Sequence, residues 1–299
     1  MERREIEKIV ASLIGTYPDA VVRYAIGIGN RVYRVECGEK KYICRCGAAE
    51  YRETAALLKM LADVGVPVPS VLGTEKTQDG EMLLLSYIDG EDLGQAYPLL
   101  TNEEKRYIAV EVMAIQHKAA QMQISPVEQE WCWENFVRWI LSRARERIAC
   151  NGYFDVERVD RLYGELHRMQ NYFSGVEPMP YLDDISTKNL LIHKGRVSGV
   201  VDVDWIGRGD DLTFIALTYV ALLNMGYDTK YVDYLLEARG CNVAEQQAFL
   251  FYSLMYCVDF MGERGMRFGD KVVEVNAGVV VHLENIYETL WDTWSQMFK

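Results

Sequence analysis

The sequence has no apolar stretch long enough to cross a membrane. Its longest apolar run, FIALTYVALLNM at residues 214–225, falls short of the roughly 20 residues that a membrane-spanning helix needs. The N-terminal segment MERREIEKIVASLIG has the charge and spacing of an amphipathic helix rather than those of a signal peptide. We therefore expect a cytoplasmic protein.

Histidine is scarce, and cysteine is scattered along the chain. The four histidines lie far apart in sequence, so they indicate no histidine-based metal site. Among the seven cysteines, only Cys44 and Cys46 are close in sequence, and strand alternation puts both on one face. A C-x-C pair without a second pair or a nearby histidine is a weak metal signal. Buried, reduced thiols are the better interpretation.

Basic residues are outnumbered by acidic ones, 32 to 44, which gives a net charge of −12. Such a surface repels nucleic acid and anionic lipid, so we expect neither as a partner. It favours a cationic small molecule if it favours any ligand. The alternative is that the acidic surface only keeps the protein soluble.

The 299 residues, of which 49% are hydrophobic, are enough for a sizeable buried core. Strand-like segments flank one helix, from about Glu50 to Val64, in residues 1–90. Helical periodicity dominates from about residue 101, interrupted by a hairpin at 189–204. We therefore predict an α+β fold with two lobes: a β-rich lobe at 1–90, built from a small antiparallel sheet and one main helix, and a mostly helical lobe at 91–299. Clefts between two such lobes are favoured ligand sites.

Polar side chains stand at the rims of two short apolar strands, in YLDDISTKNLLI (181–192) and GVVDVDW (199–205). Folding the hairpin brings Asn189, at the start of its first strand, beside Asp202, at the end of its second. An amide oxygen and a carboxylate so arranged suit Mg²⁺, which completes its shell with water and phosphate oxygens. Asp184 is then within reach of a hydroxyl approaching that phosphate. This is the arrangement that phosphoryl transfer requires.

The spacing also distinguishes the two neighbouring acids. The pattern D-x-x-x-x-N fits Asp184 and not Asp183, which leaves Asp183 a structural role. The alternative is that these residues form no site, since Asp and Asn at strand ends are common turn formers.

Upstream features support the phosphate interpretation. Gly27 and Gly29 lie in a strand–turn–strand context where bare backbone N–H groups can approach phosphates, although a Gly-x-Gly hairpin is usually only a turn. Arg45 shares a strand face with Ile43, which is unusual for a charge without a partner. Glu53 is in line with the apolar stripe of its helix, and a carboxylate there is costly unless paired. Arg45 is its natural partner; the alternative is that Glu53 lies at the edge of the stripe and is solvated.

Taken in order along the chain, these features resemble the aminoglycoside phosphotransferase and choline kinase-like family, relatives of the protein kinases. The similarity extends from about residue 20 to about residue 220. The segments that carry it are NRVYRV, VPVPSVL, YIDGEDL and NLLIHKGRVSGVVDVDWIGRGDDL. Each stands where the family has a corresponding segment.

The resemblance implies a protein-kinase-like fold and an ATP-dependent phosphotransferase. ATP, or sometimes GTP, is expected between the lobes, and the acceptor against the helical lobe. Mg²⁺ is expected on Asn189 and Asp202, with Asp184 as the catalytic base. The expected nucleotide-binding residues are Gly27, Gly29, Asn30, Arg45, Glu53, Ser86, Tyr87 and Ile88.

The sequence departs from the family pattern at three positions. Leu182 stands where the family commonly has a histidine two residues before the catalytic aspartate, and Arg45 stands where many members have lysine. Val32 stands at the third glycine of a full G-x-G-x-x-G, which is expected for this group more than for protein kinases. The first two motivate an alternative, a catalytically silent nucleotide-binding regulator. Retention of Asp184, Asn189 and Asp202 argues for an enzyme. A purely helical interaction module would leave the acids on the hairpin unexplained.

The acceptor is less clearly indicated. Family acceptors include aminoglycosides, macrolides, choline, ethanolamine, homoserine and modified sugars. Acids after the hairpin, among them Asp204, Asp210 and Glu263, suit an amine-bearing alcohol. Asp210 has an alternative role, as a cap of the following helix that braces the loop. The aromatics of EWCWENFVRW (130–139) could box a quaternary ammonium, but a helical aromatic stripe is more often core.

Overall fold

The computed structural model describes residues 3–24, 31–47, 50–77, 80–125, 131–268 and 271–299. The first part of the chain forms a five-stranded antiparallel sheet with the strand order β1-β2-β3-β5-β4. The strands are β1 Ala20–Arg23, β2 Arg31–Cys37, β3 Lys40–Gly47, β4 Val71–Thr77 and β5 Gly80–Ser86, and the helices beside them are α1 Arg3–Ile14 and α2 Arg52–Asp63.

The two faces of this sheet belong to two different cores. On β5, Met82 and Leu84 are buried with α1, whereas Leu83 and Leu85 are buried with α2. This alternation follows from the two-residue repeat of a strand. Cys44 and Cys46 lie on the α1 face as free, buried thiols, as predicted. Arg45, between them, therefore faces the side of α2.

The rest of the chain is mostly helical. Its helices are α3 Leu93–Ala96, α4 Asn102–Ala119, α5 Trp133–Asn151, α6 Glu157–Phe173, α7 Leu212–Asn224, α8 Lys230–Arg239, α9 Val243–Glu263 and α10 Ala277–Gln296. Asn242 and Glu245 form a capping box that fixes the start of α9. Helix α9 is buried along most of its length and packs against α5, α6, α7 and α10. The predicted architecture, a small antiparallel sheet part and a large helical part, is confirmed.

Short strands interrupt the helices: β6 Glu91–Asp92, β7 Pro180–Tyr181, β8 Leu190–His193, β9 Arg196–Val200, β10 Gly207–Arg208, β11 Arg267–Phe268 and β12 Lys271–Val272. Strands β8 and β9 form the predicted hairpin, with Leu190 opposite Val200. The backbone N–H of Val201 donates to the carbonyl of Asn189 (2.9 Å), which extends the pairing by one step. Asn189 and Asp202 therefore lie at the same end of the hairpin.

The hairpin also contacts the sheet part of the molecule. The N–H of Val200 donates to the carbonyl of Pro67 (2.8 Å). Gly199 packs so closely against Ile88 that an added Cβ would lie 2.6 Å from the Ile88 Cδ1, so a larger residue at 199 would require the Ile88 side chain to move. No helix in the described ranges is long and apolar enough to span a membrane.

Candidate active site

Asp184 and Asn189 are joined directly across the turn that separates them. The Asn189 Nδ2 donates to the carboxylate Oδ2 of Asp184 (2.8 Å) and to its backbone carbonyl (3.1 Å). Ser186 Oγ donates to the other carboxylate oxygen (3.1 Å). Because its nitrogen is used in this way, Asn189 keeps its Oδ1 as an acceptor. Asp184 and Asp202 line one cleft, so the structure brings together the three side chains that the spacing selected.

Asp202 has an unusual backbone conformation. Its φ is +58°, in the left-handed region that non-glycine residues seldom adopt and that Asp tolerates better than most. Its side chain is 60% exposed. Such conformations cost free energy and concentrate at functional sites. This turn lets the apolar strand β9 end in the core, while the Asp202 carboxylate that follows the strand faces the cleft.

The Asp184 carboxyl has a raised pKa of about 6. Partial removal of water from the carboxyl within the cleft is the main cause, and the negative charges of Asp183 and Asp202 add to it. The hydrogen bonds from Ser186 and Asn189 favour the carboxylate and reduce the shift. A carboxylate with a pKa in this range is a better proton acceptor at neutral pH than an ordinary aspartate.

The loop that carries Asp184 is held by Gln116 of α4, which the sequence reasoning missed. The Gln116 Nε2 donates to the carbonyl of Leu182 (2.8 Å), and the Leu182 N–H donates to the Gln116 Oε1 (2.9 Å). Both residues are buried. Leu182 therefore packs its side chain in the core while Gln116 fixes its backbone. The signal in the sequence was a glutamine on the apolar face of α4 beside Val112, Ile115 and Ala119.

Arg45 pairs with Asp204, and the predicted pair with Glu53 is wrong. Arg45 Nη1 and Nη2 donate to the two carboxylate oxygens of Asp204 (2.9 and 2.8 Å). Thr54 Oγ1 lies 3.3 Å from the same carboxylate as a further donor. The buried stripe of α2 runs through Thr54, Leu58 and Leu61. Glu53 stands one position outside that stripe and is exposed to solvent.

The Arg45 guanidinium is deeply enclosed, with only 6% of the residue exposed. Burial acts to lower its pKa, but the hydrogen bonds and charge of Asp204, together with the charge of Asp202, outweigh burial and leave the pKa raised. Arg45 Nη2 lies 3.3 Å from Asp202 Oδ1. Tyr51 lies beside the same guanidinium, 5.5 Å from ring centroid to Arg45 Cζ. Arg45 is therefore a permanent cation next to the Asp202 carboxylate.

Trp205 forms an exposed aromatic wall of the cleft. Its Nε1 donates to Asp183 Oδ2 (2.6 Å), and the residue is 67% exposed. Asp183 thus has a structural partner, as its position outside the D-x-x-x-x-N pattern suggested. Burial raises the pKa of the Asp183 carboxyl, and the Trp205 hydrogen bond acts against that rise. Trp205 was not selected from the sequence, because nothing in DVDW shows whether the indole is buried.

The predicted nucleotide-binding positions are only partly described. Gly27, Gly29 and Asn30 lie outside the described residues. Ser86 ends β5 and is tied to Ser70 by two hydrogen bonds, from Ser86 N–H to Ser70 O (2.9 Å) and from Ser70 N–H to Ser86 Oγ (2.8 Å). Tyr87 and Ile88 follow, half-buried, in the segment that leads from the sheet to the helical part.

Asp210 has no free carboxylate for an acceptor. It is buried and accepts hydrogen bonds from the hydroxyls of Tyr172 (2.6 Å) and Tyr252 (3.0 Å) and from the N–H of Leu212 (3.0 Å). Its prediction as a substrate residue is therefore corrected to the alternative, a brace for the start of α7. Asp204 lines the cleft but is engaged by Arg45.

Glu263 is not among the residues that line the cleft around Asp184. It is half-buried on α9, and burial raises the pKa of its carboxyl. Arg147 lies 3.6 Å from its carboxylate and 3.5 Å from that of Asp259, which Arg143 also binds. Both acids therefore have arginine partners, whereas the sequence had suggested Glu263 as a partner for an amine-bearing acceptor.

The donor set suits a hard divalent cation that shares its shell with phosphate and water. Asn189 offers an amide oxygen and Asp202 an exposed carboxylate, the kinds of ligand that Mg²⁺ accepts. Within the described ranges, no group of three or more His, Cys, Asp or Glu side chains is arranged to hold a metal ion. An all-protein cage is thus absent from this part of the chain, whereas Mg²⁺ in phosphoryl-transfer sites commonly has one or two carboxylates plus substrate phosphates.

Residues 20–248 match the sequence model of the phosphotransferase enzyme family. That range includes the hairpin, Arg45 and the cleft.

Solved structures of aminoglycoside phosphotransferases have a similar fold at low sequence identity. A thermostable mutant of APH(4)-Ia, in ternary complex with AMP-PNP and hygromycin B, is 15% identical with a TM-score of 0.67, covering 96% of this chain and 97% of that one. ADP-bound APH(2'')-Ib is 14% identical with a TM-score of 0.64, covering 98% and 99%. The streptomycin–ATP complex of APH(2")-IIa is 16% identical with a TM-score of 0.61, covering 100% and 99%.

Proposed function

Because the chain belongs to the phosphotransferase enzyme family, we propose that it transfers the γ-phosphate of ATP, or of GTP, to a hydroxyl group of a small amine-bearing alcohol. The observation that carries the proposal is the pair of hydrogen bonds from Asn189 to Asp184 beside the Asp202 carboxylate. Nucleotides and aminoglycosides bound to structural neighbours support the substrate classes.

Asp184 is the proposed base. Its carboxylate is held by Ser186 and Asn189 at the cleft, where it can orient the acceptor hydroxyl. As the new O–P bond forms and the bond to the departing ADP breaks, the hydroxyl proton passes to Asp184. The transition state of such reactions is loose, so positioning and charge stabilisation supply most of the rate enhancement.

Asn189 Oδ1 and the Asp202 carboxylate are the proposed ligands of Mg²⁺. A divalent ion there would neutralise charge on the nucleotide phosphates. The left-handed backbone of Asp202 keeps its carboxylate at the cleft rather than in the core. The Asn189–Asp184 hydrogen bond couples the proposed metal ligand to the proposed base, so both depend on one loop geometry.

Arg45 is the proposed phosphate-binding cation, and the segment at Ser86, Tyr87 and Ile88 is the proposed site for the nucleotide base. Arg45 lies beside Asp202, which is where phosphates bridged to the proposed metal would arrive. A role of Gly27, Gly29 and Asn30 in binding phosphates remains a prediction from the sequence.

The acceptor is proposed to be cationic and ring-shaped. Four aspartates line the cleft, Asp183, Asp184, Asp202 and Asp204, and Arg45 is paired with two of them. Trp205 adds an exposed indole to the same lining. Indole faces attract ammonium groups and pack against flat apolar surfaces. An aminoglycoside-like molecule combines amines, rings and hydroxyls in the way this cleft favours.

The test is ADP release from Mg·ATP across a panel of amine-bearing alcohols, including aminoglycosides, with wild type beside Asp184→Asn. With at least one acceptor, we expect the turnover of the wild type to be about 1,000-fold higher than that of Asp184→Asn. This difference is within the range that a positioned base contributes. Glu177→Gln is the matched control, because it removes an exposed carboxylate from the same part of the chain. It should behave as wild type.

The same experiment separates the alternative function. If the protein binds nucleotide but no acceptor raises turnover above that of Asp184→Asn, it is a silent nucleotide-binding regulator. If it binds no nucleotide, the proposed function is wrong. The Gln116 brace favours the enzyme, because the loop remains held although Leu182 replaces the family's histidine.

A further inference from the structure

Asp204 accepts from both Arg45 and Thr54, in a three-residue contact that joins distant parts of the chain. Arg45 comes from β3, Thr54 from α2, and Asp204 from the loop that follows the Asp202 carboxylate. Arg45 and Thr54 are both buried, at 6% and 7% exposure. A buried arginine needs a charged partner with good hydrogen-bond geometry. Asp204 supplies it with two parallel N–H···O bonds.

We propose that Asp204, steadied by Thr54, positions the Arg45 guanidinium for the nucleotide phosphates, a role that the sequence pattern had given to Glu53 of α2. This proposal rests on the proposed function, because it assumes that Arg45 binds phosphate. Asp204 is a positioning residue: it acts through Arg45. Thr54 lets helix α2 contribute to the same contact with a hydroxyl rather than a carboxylate.

The geometry explains why the cation is arginine. A guanidinium is a planar fork with more N–H donors than one carboxylate can use. Arg45 gives one edge to Asp204 and still lies 3.3 Å from Asp202 at the proposed metal site. Its remaining donors can then bind phosphate without breaking the pair. A lysine is a single point charge and would have to share one ammonium between the two partners.

The position of Glu53 supports the same conclusion. Its neighbour Thr54 is in the buried stripe of α2, one step of about 100° around the helix from Glu53. Glu53 is exposed, so binding to Arg45 would require the helix to rotate and Thr54 to leave its buried position. The contact with Asp204 needs no such movement.

The test measures the dissociation constants of ADP and AMP-PNP by calorimetry, with melting temperatures recorded for each variant. Asp204→Asn should weaken nucleotide binding about tenfold, and Thr54→Val about threefold. Val has nearly the shape of Thr and leaves every charge in position, so this variant tests the proposal even if Asp204→Asn fails to fold. Asp63→Asn is the matched control, an exposed acid on the same helix.

A double-mutant cycle shows whether Asp204 acts through Arg45. In an Arg45→Met background, adding Asp204→Asn should change the nucleotide affinity by less than twofold. A purely structural role would give the same loss in both backgrounds and would overturn the proposal. Unchanged or tighter binding by Asp204→Asn in the Arg45 background would also overturn it, since the pair would then be irrelevant or inhibitory.

Glu53→Gln distinguishes the two possible partners. The proposal predicts an affinity within twofold of wild type, whereas a functional Arg45–Glu53 pair predicts a loss as large as that of Asp204→Asn and would contradict it. Failure of the wild type to bind nucleotide would remove the proposed function and this proposal together. Wild-type binding with unaffected variants would remove this proposal alone.

Discussion

The Asn189 side chain donates to both the carboxylate and the backbone carbonyl of Asp184. One amide group therefore sets the conformation of the loop and the direction of the proposed base. It also leaves Asn189 Oδ1 for a cation, so the geometry of base and metal ligand cannot vary independently.

We expect Asp184→Asn to lower turnover about 1,000-fold and to stabilise the metal-free fold at neutral pH. The folded-state pKa of Asp184, about 6, lies above its ordinary value of 3.8. The folded protein therefore binds this proton more tightly than the unfolded protein does. The contribution of Asp184 to the free energy of unfolding is lost as pH rises from about 4 to about 6. Asn cannot ionise, so it avoids that loss. Its single amide oxygen can accept from Asn189, and its NH2 group can donate to the Ser186 hydroxyl.

The gain should be about 1 kcal/mol after allowing for solvent screening at the exposed rim. Melting curves in EDTA provide the measurement. The variant should melt about 2 °C above wild type at pH 7.5, and the difference should vanish near pH 4. A variant that is less stable at every pH would contradict the raised pKa.

The pH profile of kcat/KM for nucleotide should have an acidic limb near pH 6. The proposed base acts as a carboxylate, so activity should be retained above its pKa and should fall about tenfold per pH unit below it. Initial rates between pH 5 and 8 at constant ionic strength measure the limb. Activity that is unchanged down to pH 5 would show that Asp184 does not act as a base with this pKa.

Gln116→Leu should destabilise the fold and lower kcat. The substitution leaves the buried N–H and carbonyl of Leu182 without their partners, a cost of about 2–4 kcal/mol. Denaturant unfolding and steady-state kinetics measure the two effects. Gln121→Leu, which changes an exposed glutamine just after α4, is the matched control. Equal stability of the two variants would show that the brace has no role.

Trp205→Ala should raise the KM of the acceptor about tenfold with little change in nucleotide affinity. The indole lines the cleft beside Asp183 and is exposed. Trp205→Phe keeps an aromatic face but loses the hydrogen bond to Asp183, so its KM should be intermediate. If the acceptor instead binds the aromatic segment of α5, Trp139→Ala will raise the KM and Trp205→Ala will not.

The parts of the site that are close in sequence could be predicted from the sequence. Apolar strands around a short turn specify the β8–β9 hairpin, and the hairpin fixes that Asn189 and Asp202 share an end. The spacing then selects Asp184 rather than Asp183. The alternation of β3 likewise predicted the shared face of Cys44 and Cys46. Membership of the phosphotransferase enzyme family confirms the resemblance drawn from these segments.

Contacts between distant segments could not be predicted in this way. Arg45 and Asp204 are 159 residues apart, and Gln116 and Leu182 are 66 apart. Which acid reaches Arg45 depends on how α2 is rotated on the sheet. The apolar residues of α2 permitted a stripe through either Glu53 or Thr54, and packing selected Thr54. The structural role of Asp210 could be recognised only from its hydrogen bonds with the hydroxyls of Tyr172 and Tyr252, which are distant in sequence.

A structure of the protein with Mg²⁺, AMP-PNP and a turned-over acceptor tests the account most directly. We predict a metal ion bound by Asn189 Oδ1 and the Asp202 carboxylate, phosphate oxygens on Arg45, and the acceptor hydroxyl within hydrogen-bond distance of Asp184. A nucleotide whose phosphates lie away from these side chains, or a hydroxyl that faces another base, would contradict it.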